Sequence, residues 1–164
     1  MYAETDTKEG QVIAMTGEEM WHSYCEKEKL DPSIPCDIWK FCGGGPAADE
    51  LAELVLEGKK TATAGAMIAY EIEKEPIPEA GCYSVVLFDD ERAACVIRDT
   101  KVSLVPFDQV SPEHAWKEGE GDRSLAYWRG VHRAFFAQDY EQAGQPFDEH
   151  GLCVLEEFEV VFAE

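Results

Sequence analysis

Basic residues are scarce in this chain: 14 Lys and Arg stand against 34 Asp and Glu in 164 residues, a formal net charge of −20. Nonspecific affinity for nucleic acid comes mainly from phosphate contacts made by clustered cations. Such a composition argues against duplex DNA or a long single strand as partner, and leaves a nucleoside or a short RNA end as the compatible nucleic-acid ligand. No segment is long and apolar enough to span a bilayer, and Met1 to Gln11 has neither the basic start nor the apolar run of a signal peptide. The expectation is a cytoplasmic protein without a membrane partner. Cys25, Cys36, Cys42, Cys82, Cys95 and Cys153 include no Cys-x-x-Cys pair, and Cys82, Cys95 and Cys153 fall in strand-like runs where a reduced cysteine acts as a small apolar residue. His22, His114, His132 and His150 are equally scattered, none beside a second ligand at metal spacing. Neither a metal nor a cofactor is expected. Internal repeats and low-complexity blocks are also missing.

With 45% hydrophobic residues the chain can build one well-formed core and is too short for two comfortable domains. Residues 1–15 read as a flexible N-terminal extension, and 16–164 as a single domain that begins with a helix. Periodicity predicts helices near Gly17 to Lys29, Pro46 to Glu57 and Ser124 to Ala137. Strands are expected near Cys82 to Phe88 and Arg92 to Val105, joined by a turn at Asp89-Asp90-Glu91, with a further strand closing the chain. Strands interspersed with helices without regular βαβ alternation point to an α+β fold around a small barrel.

Two of the cations are adjacent at Gly58-Lys59-Lys60-Thr61-Ala62-Thr63, where a helix hands over to a strand. Leu51, Leu54 and Val55 form the apolar stripe of that helix, and Gly58 suits its C′ position. Lysines there complement the negative end of the helix dipole, and threonines begin strands readily, so a purely structural explanation exists. A second segment adds chemistry. Glu118-Gly119-Glu120-Gly121-Asp122 places three carboxylates within five residues, spaced by glycines that permit positive φ. Asp122 is a natural cap for the helix that follows, but one cap leaves Glu118 and Glu120 without that explanation.

These two segments, together with Val105-Pro106-Phe107, Ser124-Leu125, Tyr127-Trp128 and the closing run Cys153 to Val161, resemble in order and spacing a bacterial subfamily of ASCH domains carrying Gly-Lys-Lys-Thr-x-Thr. The likeness runs from about Trp39 to Phe162. It implies a PUA-like small β-barrel with flanking helices, and an action on, or binding of, RNA or modified nucleosides. Some small bacterial members are amidohydrolases that deacetylate N4-acetylcytidine; others have been described as ribonucleases. By the resemblance the catalytic lysine falls on Lys60, the threonine on Thr63 and the acidic partner on Glu120, with Glu118 as the alternate.

The chemistry is sound in its own right. A threonine hydroxyl attacks an amide only with a neighbouring base, and a lysine fills that role when burial or another cation, such as Lys59, favours its neutral amine. Substrate contacts are expected from Lys59, Thr61, Glu118, Tyr127, Trp128 and Trp39, the aromatic residues by stacking on a base. For Tyr127 and Trp128 the competing role is core packing, since Phe135 and Phe136 follow on the same helix. Gly43-Gly44-Gly45 reads either as a phosphate-approach loop or as a plain entry turn. Three functions remain open on the sequence: an amidohydrolase, a ribonuclease, and a noncatalytic module binding RNA or a nucleoside through the same pocket.

Overall fold

The structure is a computed structural model that describes residues 14–164; the expected flexible extension therefore lies almost wholly outside the described residues. Helix α1 (Gly17–Glu28) opens with a capping box: the Thr16 hydroxyl accepts from the Glu19 N–H while the Glu19 carboxylate accepts from the Thr16 N–H. Its buried side, including Met20, Trp21 and Tyr24, packs with Val85, Val96 and Phe162 on one face of the sheet.

Among the described residues, five strands form one sheet in the order β1-β3-β4-β5-β2. They are β1 (Cys36–Trp39), β2 (Ala62–Ala66), β3 (Tyr83–Leu87), β4 (Ala93–Pro106) and β5 (Leu152–Phe162). The pair β1–β3 is parallel and all other pairs are antiparallel. Register shifts at Val96/Ile97 and Asp99/Lys101 interrupt the β4–β5 ladder, and such bulges bend a long strand and increase its twist. Sequence periodicity had located β3, β4 and β5 to within a residue or two and left β1 unassigned.

Helix α2 (Pro46–Leu56) begins with proline at its first position and buries Ala48, Ala52 and Val55. With Phe41 it covers a core made of Val86, Cys95, Ile97 and Phe158. The three glycines before it form an entry turn, not a phosphate loop: the Gly45 N–H donates to the Asp89 carboxylate at 2.7 Å, so an acidic side chain occupies the place an anion would take. Gly58 takes φ +76 just beyond the helix, as its C′ role requires.

Two short helices, α3 (Met67–Glu73) and α4 (Pro112–Glu118), precede the long α5 (Leu125–Gln142). Helix α5 runs five residues past its expected end. Its N-cap is Ser124, whose hydroxyl accepts from the Tyr127 N–H; Asp122, expected in that role, instead accepts from the Ser124 N–H one step earlier. A third core joins Trp128, Phe136 and Tyr140 of α5 to Phe107, Cys153 and Leu155. Cys82 lies just outside β3 and is exposed, contrary to its expected place in a strand, whereas Cys95 and Cys153 are buried as small apolar residues. No helix among the described residues is long and apolar enough to cross a membrane.

Candidate active site

The site is assembled where the chain leaves α2 and where α4 ends. Backbone bonds fix both pieces: the Lys59 and Lys60 N–H groups donate to Leu54 C=O, and the Thr61 N–H donates to Lys117 C=O at 2.7 Å. Gly119 continues the chain after α4 at φ +72, so close to Lys59 that an added Cβ would stand 2.5 Å from its carbonyl oxygen. Arg123 ties the other end of the turn down, its guanidinium donating to Trp116 C=O and Lys59 C=O while lying over the Trp116 ring. Such close approach needs glycine, and it explains why Glu118 and Glu120 are separated by one.

This packing buries Lys60 at 2% exposure and sets its ammonium 3.3 Å from Glu118 Oε1 and 3.2 Å from Glu120 Oε2, across some sixty residues of sequence. The ammonium also lies 5.3 Å from the centre of the Phe41 ring. Burial penalises the cation, and two carboxylates and an aromatic face stabilise it.

The carboxylates differ sharply. Glu118 is 1% exposed and caged: His114 Nε2 at 2.7 Å, the Trp128 indole N–H and Lys60 donate to it, and His132 Nε2 faces it at 3.4 Å. Burial alone would raise its pKa, but the hydrogen bonds from His114 and His132 and the Lys60 charge outweigh that and hold it well below the usual carboxylate range. Because Trp128 C=O can only accept, His132 Nδ1 at 2.8 Å must carry a hydrogen, so the Nε2 aimed at Glu118 donates to it when the ring is an imidazolium. Glu120 sits on the turn with its side chain 19% exposed, and among the described residues Lys60 is its one side-chain hydrogen-bond partner. Glu118 is thus a fixed counter-ion, and Glu120 the carboxylate with free acceptor capacity.

Glu118, Glu120 and His132 place ligand atoms within 4.8 Å of one another. The Lys60 ammonium already bridges the two carboxylates, which opposes a metal ion at the same point.

Thr63 lies on β2 as the direct antiparallel partner of Glu156 on β5 and, among the described residues, makes no hydrogen bond with Lys60. Direct partners share a sheet face, here the face that carries Phe158 and Ile97 beneath Phe41. The other expected contacts are dispersed. Lys59 turns away to pair with Glu57 at 3.2 Å and so does not serve as the second cation beside Lys60. Thr61 Oγ1 faces Lys117 C=O at 3.4 Å. Trp128, at 2% exposure, is wedged between Phe107 and a stacked His132, which removes it as a base-stacking platform and makes it a donor to Glu118. Tyr127 is 42% exposed and covers Gly121; Trp39 is half-buried and packs edge-on against Phe41.

Sequence reasoning missed the cage around Glu118. The four-residue spacings His114–Glu118 and Trp128–His132 carried that signal, since each places two side chains on one helix face.

The fold and site together define a small α+β domain of the PUA-like kind. The family model described as ASCH domain matches residues 37–162, and the chain belongs to that family. An ASCH domain from Lactobacillus crispatus JV V101 is 33% identical, with a TM-score of 0.77 over 87% of this chain and 94% of that one. Protein EF3133 from Enterococcus faecalis V583 is 34% identical, with a TM-score of 0.79 over 87% of this chain and 85% of that one. Hypothetical protein PH0355, at 16% identity and a TM-score of 0.50 over 77% and 98%, shares the fold. None of the curated proteins matches.

Proposed function

We propose that this ASCH domain is an amidohydrolase of N4-acylated cytidine or a closely similar modified nucleoside, working in the cytoplasm, with Lys60, Thr63 and Glu120 as its catalytic residues. The observation that carries the reading is the buried Lys60 ammonium between two carboxylates of unlike character. Glu118, saturated with donors, keeps its charge and holds Lys60 in place. In this reading Lys60 gives up one proton through its contact with Glu120, and the resulting amine accepts the Thr63 hydroxyl proton as Thr63 Oγ attacks the acyl carbon. An enzyme built this way needs no cofactor.

The ligand class follows from charge. The ammonium is matched by Glu118 and Glu120, so the site offers little to a phosphate and suits a neutral base and sugar. Trp39, beside Phe41, is the better placed aromatic for a base, and Tyr127 offers an exposed ring near the turn. The test is turnover of N4-acetylcytidine with binding measured in parallel. Thr63→Ala should abolish turnover and leave binding nearly intact, because a methyl replaces a hydroxyl, while Lys60→Ala should damage both. Binding without turnover by the unmodified chain supports a noncatalytic module, and cleavage of short RNA with no deacylation supports a ribonuclease.

A further inference from the structure

An amide is a poor substrate for a nucleophile and base alone, because its nitrogen must be protonated as it departs. Lys60 and Glu120 handle the proton that Thr63 loses. The sheet places a carboxyl directly across the strand from Thr63.

Glu156 is the cross-strand partner of Thr63, which puts the two Cβ atoms roughly 4.5–5.5 Å apart on one face. Asp99 on β4, only 6% exposed, stands opposite Phe158, two residues along β5 on the same face, which makes its carboxyl the diagonal neighbour of the Glu156 carboxyl. Two neighbouring carboxyls withdrawn from water oppose each other's ionisation, which favours a proton held between them. Around them, Tyr70 of α3 lies against Gly65, two residues beyond Thr63 on the same face, and Asp37 of β1 adds a further negative charge to the field at Glu156. Burial first, then the neighbouring Asp99 carboxyl, and then Asp37 push the Glu156 carboxyl up to about 8, while the Asp99 carboxyl is also raised by burial.

We propose that Glu156, held by Asp99, is the catalytic acid that protonates the departing exocyclic amine, a role that rests on the amidohydrolase reading. Thr63 Oγ bonds to the acyl carbon, and its proton passes to Lys60. The C–N bond then breaks, its electron pair takes the Glu156 proton, and the free amine leaves with Thr63 acylated. In the second half, water gives a proton to the Glu156 carboxylate and its oxygen to the acyl carbon, and Thr63 recovers its proton from Lys60. The pair also presents one donor beside acceptors, which fits the neutral, mixed donor-acceptor edge of a pyrimidine better than an anion.

The experiment compares N4-acetylcytidine with p-nitrophenyl acetate, whose phenolate departs without a proton. Glu156→Gln should lower kcat on the amide by about 10²–10⁴-fold and leave hydrolysis of the activated ester within a few-fold. Thr63→Ala should abolish both. In the unmodified protein, amide turnover should fall as pH rises through about 8, and this limb should be absent for the ester. Equal losses on both substrates, or no loss on the amide, overturn the acid role while leaving the amidohydrolase reading intact. Activity of the unmodified chain on neither substrate overturns both. Independently, NMR titration of carboxyl-labelled Glu156 should show a proton held at neutral pH; ordinary carboxylate titration overturns the proposal whatever the kinetics.

Discussion

Glu118→Gln removes the charge of a carboxylate that is 1% exposed and serves Lys60, His114, His132 and Trp128 at once, while keeping its shape. Taking one partner from a buried ion pair leaves the other uncompensated and costs about 3–5 kcal/mol. The amide also turns a donor toward at least one of the donors that surrounded the carboxylate. For a chain of this size each kcal/mol moves the melting temperature by about 2–4 °C, so the expected fall is about 6–20 °C. Glu120→Gln is the control: it breaks one contact of a side chain that reaches solvent, and should cost only about 1–2 kcal/mol. Urea unfolding at neutral pH, with an unchanged m-value, reads both. The pH dependence has a definite sign. The folded pKa of Glu118 is depressed, so its contribution is complete above the ordinary carboxylate value of about 4.3 and is lost only as pH falls through the depressed value. The gap between the unmodified protein and Glu118→Gln should therefore persist down to about pH 4 and close only in stronger acid. A Glu118→Gln protein within 1 kcal/mol of the unmodified chain, by the ~1 kcal/mol scale of an ordinary hydrogen bond, or no less stable than Glu120→Gln, refutes the assignment of Glu118 as the anchoring counter-ion.

Two further outcomes test the frame around the site. Gly119→Ala forces a left-handed residue and a Cβ 2.5 Å from Lys59 C=O, so it should cost at least about 2 kcal/mol and displace Lys60, seen as lost turnover as well as a lower melting temperature. For Glu156 the folded pKa is raised, so the folded state binds a proton that the unfolded chain releases. Stability should decline from about pH 4.3 to about 8, and Glu156→Gln should flatten that decline, gaining on the order of 3 kcal/mol on the unmodified protein at pH 7. An unchanged pH profile of unfolding would show that Glu156 titrates normally.

Much of the frame was legible because its signals are local. The α1 helix from Gly17, Pro46 at the head of α2, the Asp89-Asp90-Glu91 turn and the strand patterns of β4 and β5 each announce themselves within a short stretch of chain. Strand β1 was not legible, since four residues show no usable period and its place depends on a parallel partner far along the chain. Helix α3 follows β2 directly, with no side-chain cap at Ala66 to announce it. Helix α4, by contrast, carried a readable start in Ser111-Pro112. At the site, the Lys60–Glu120 pairing was anticipated through the family resemblance. What set Glu118 apart was tertiary: its burial and its donors come from α4 and α5 together. The Asp99–Glu156 pair, formed across a bulged ladder, left no mark on either strand alone.

The measurement that most directly tests the central claim is rapid quenching of the unmodified protein with N4-acetylcytidine, followed by peptide mapping of the acyl group by mass spectrometry. An acetyl group should appear on the peptide containing Thr63, at a rate matching a burst of cytidine, and be absent in Thr63→Ala. Multiple-turnover release of cytidine with no acylated Thr63 peptide, or undiminished hydrolysis by a folded Thr63→Ala protein, contradicts the nucleophile assignment on which the mechanism stands.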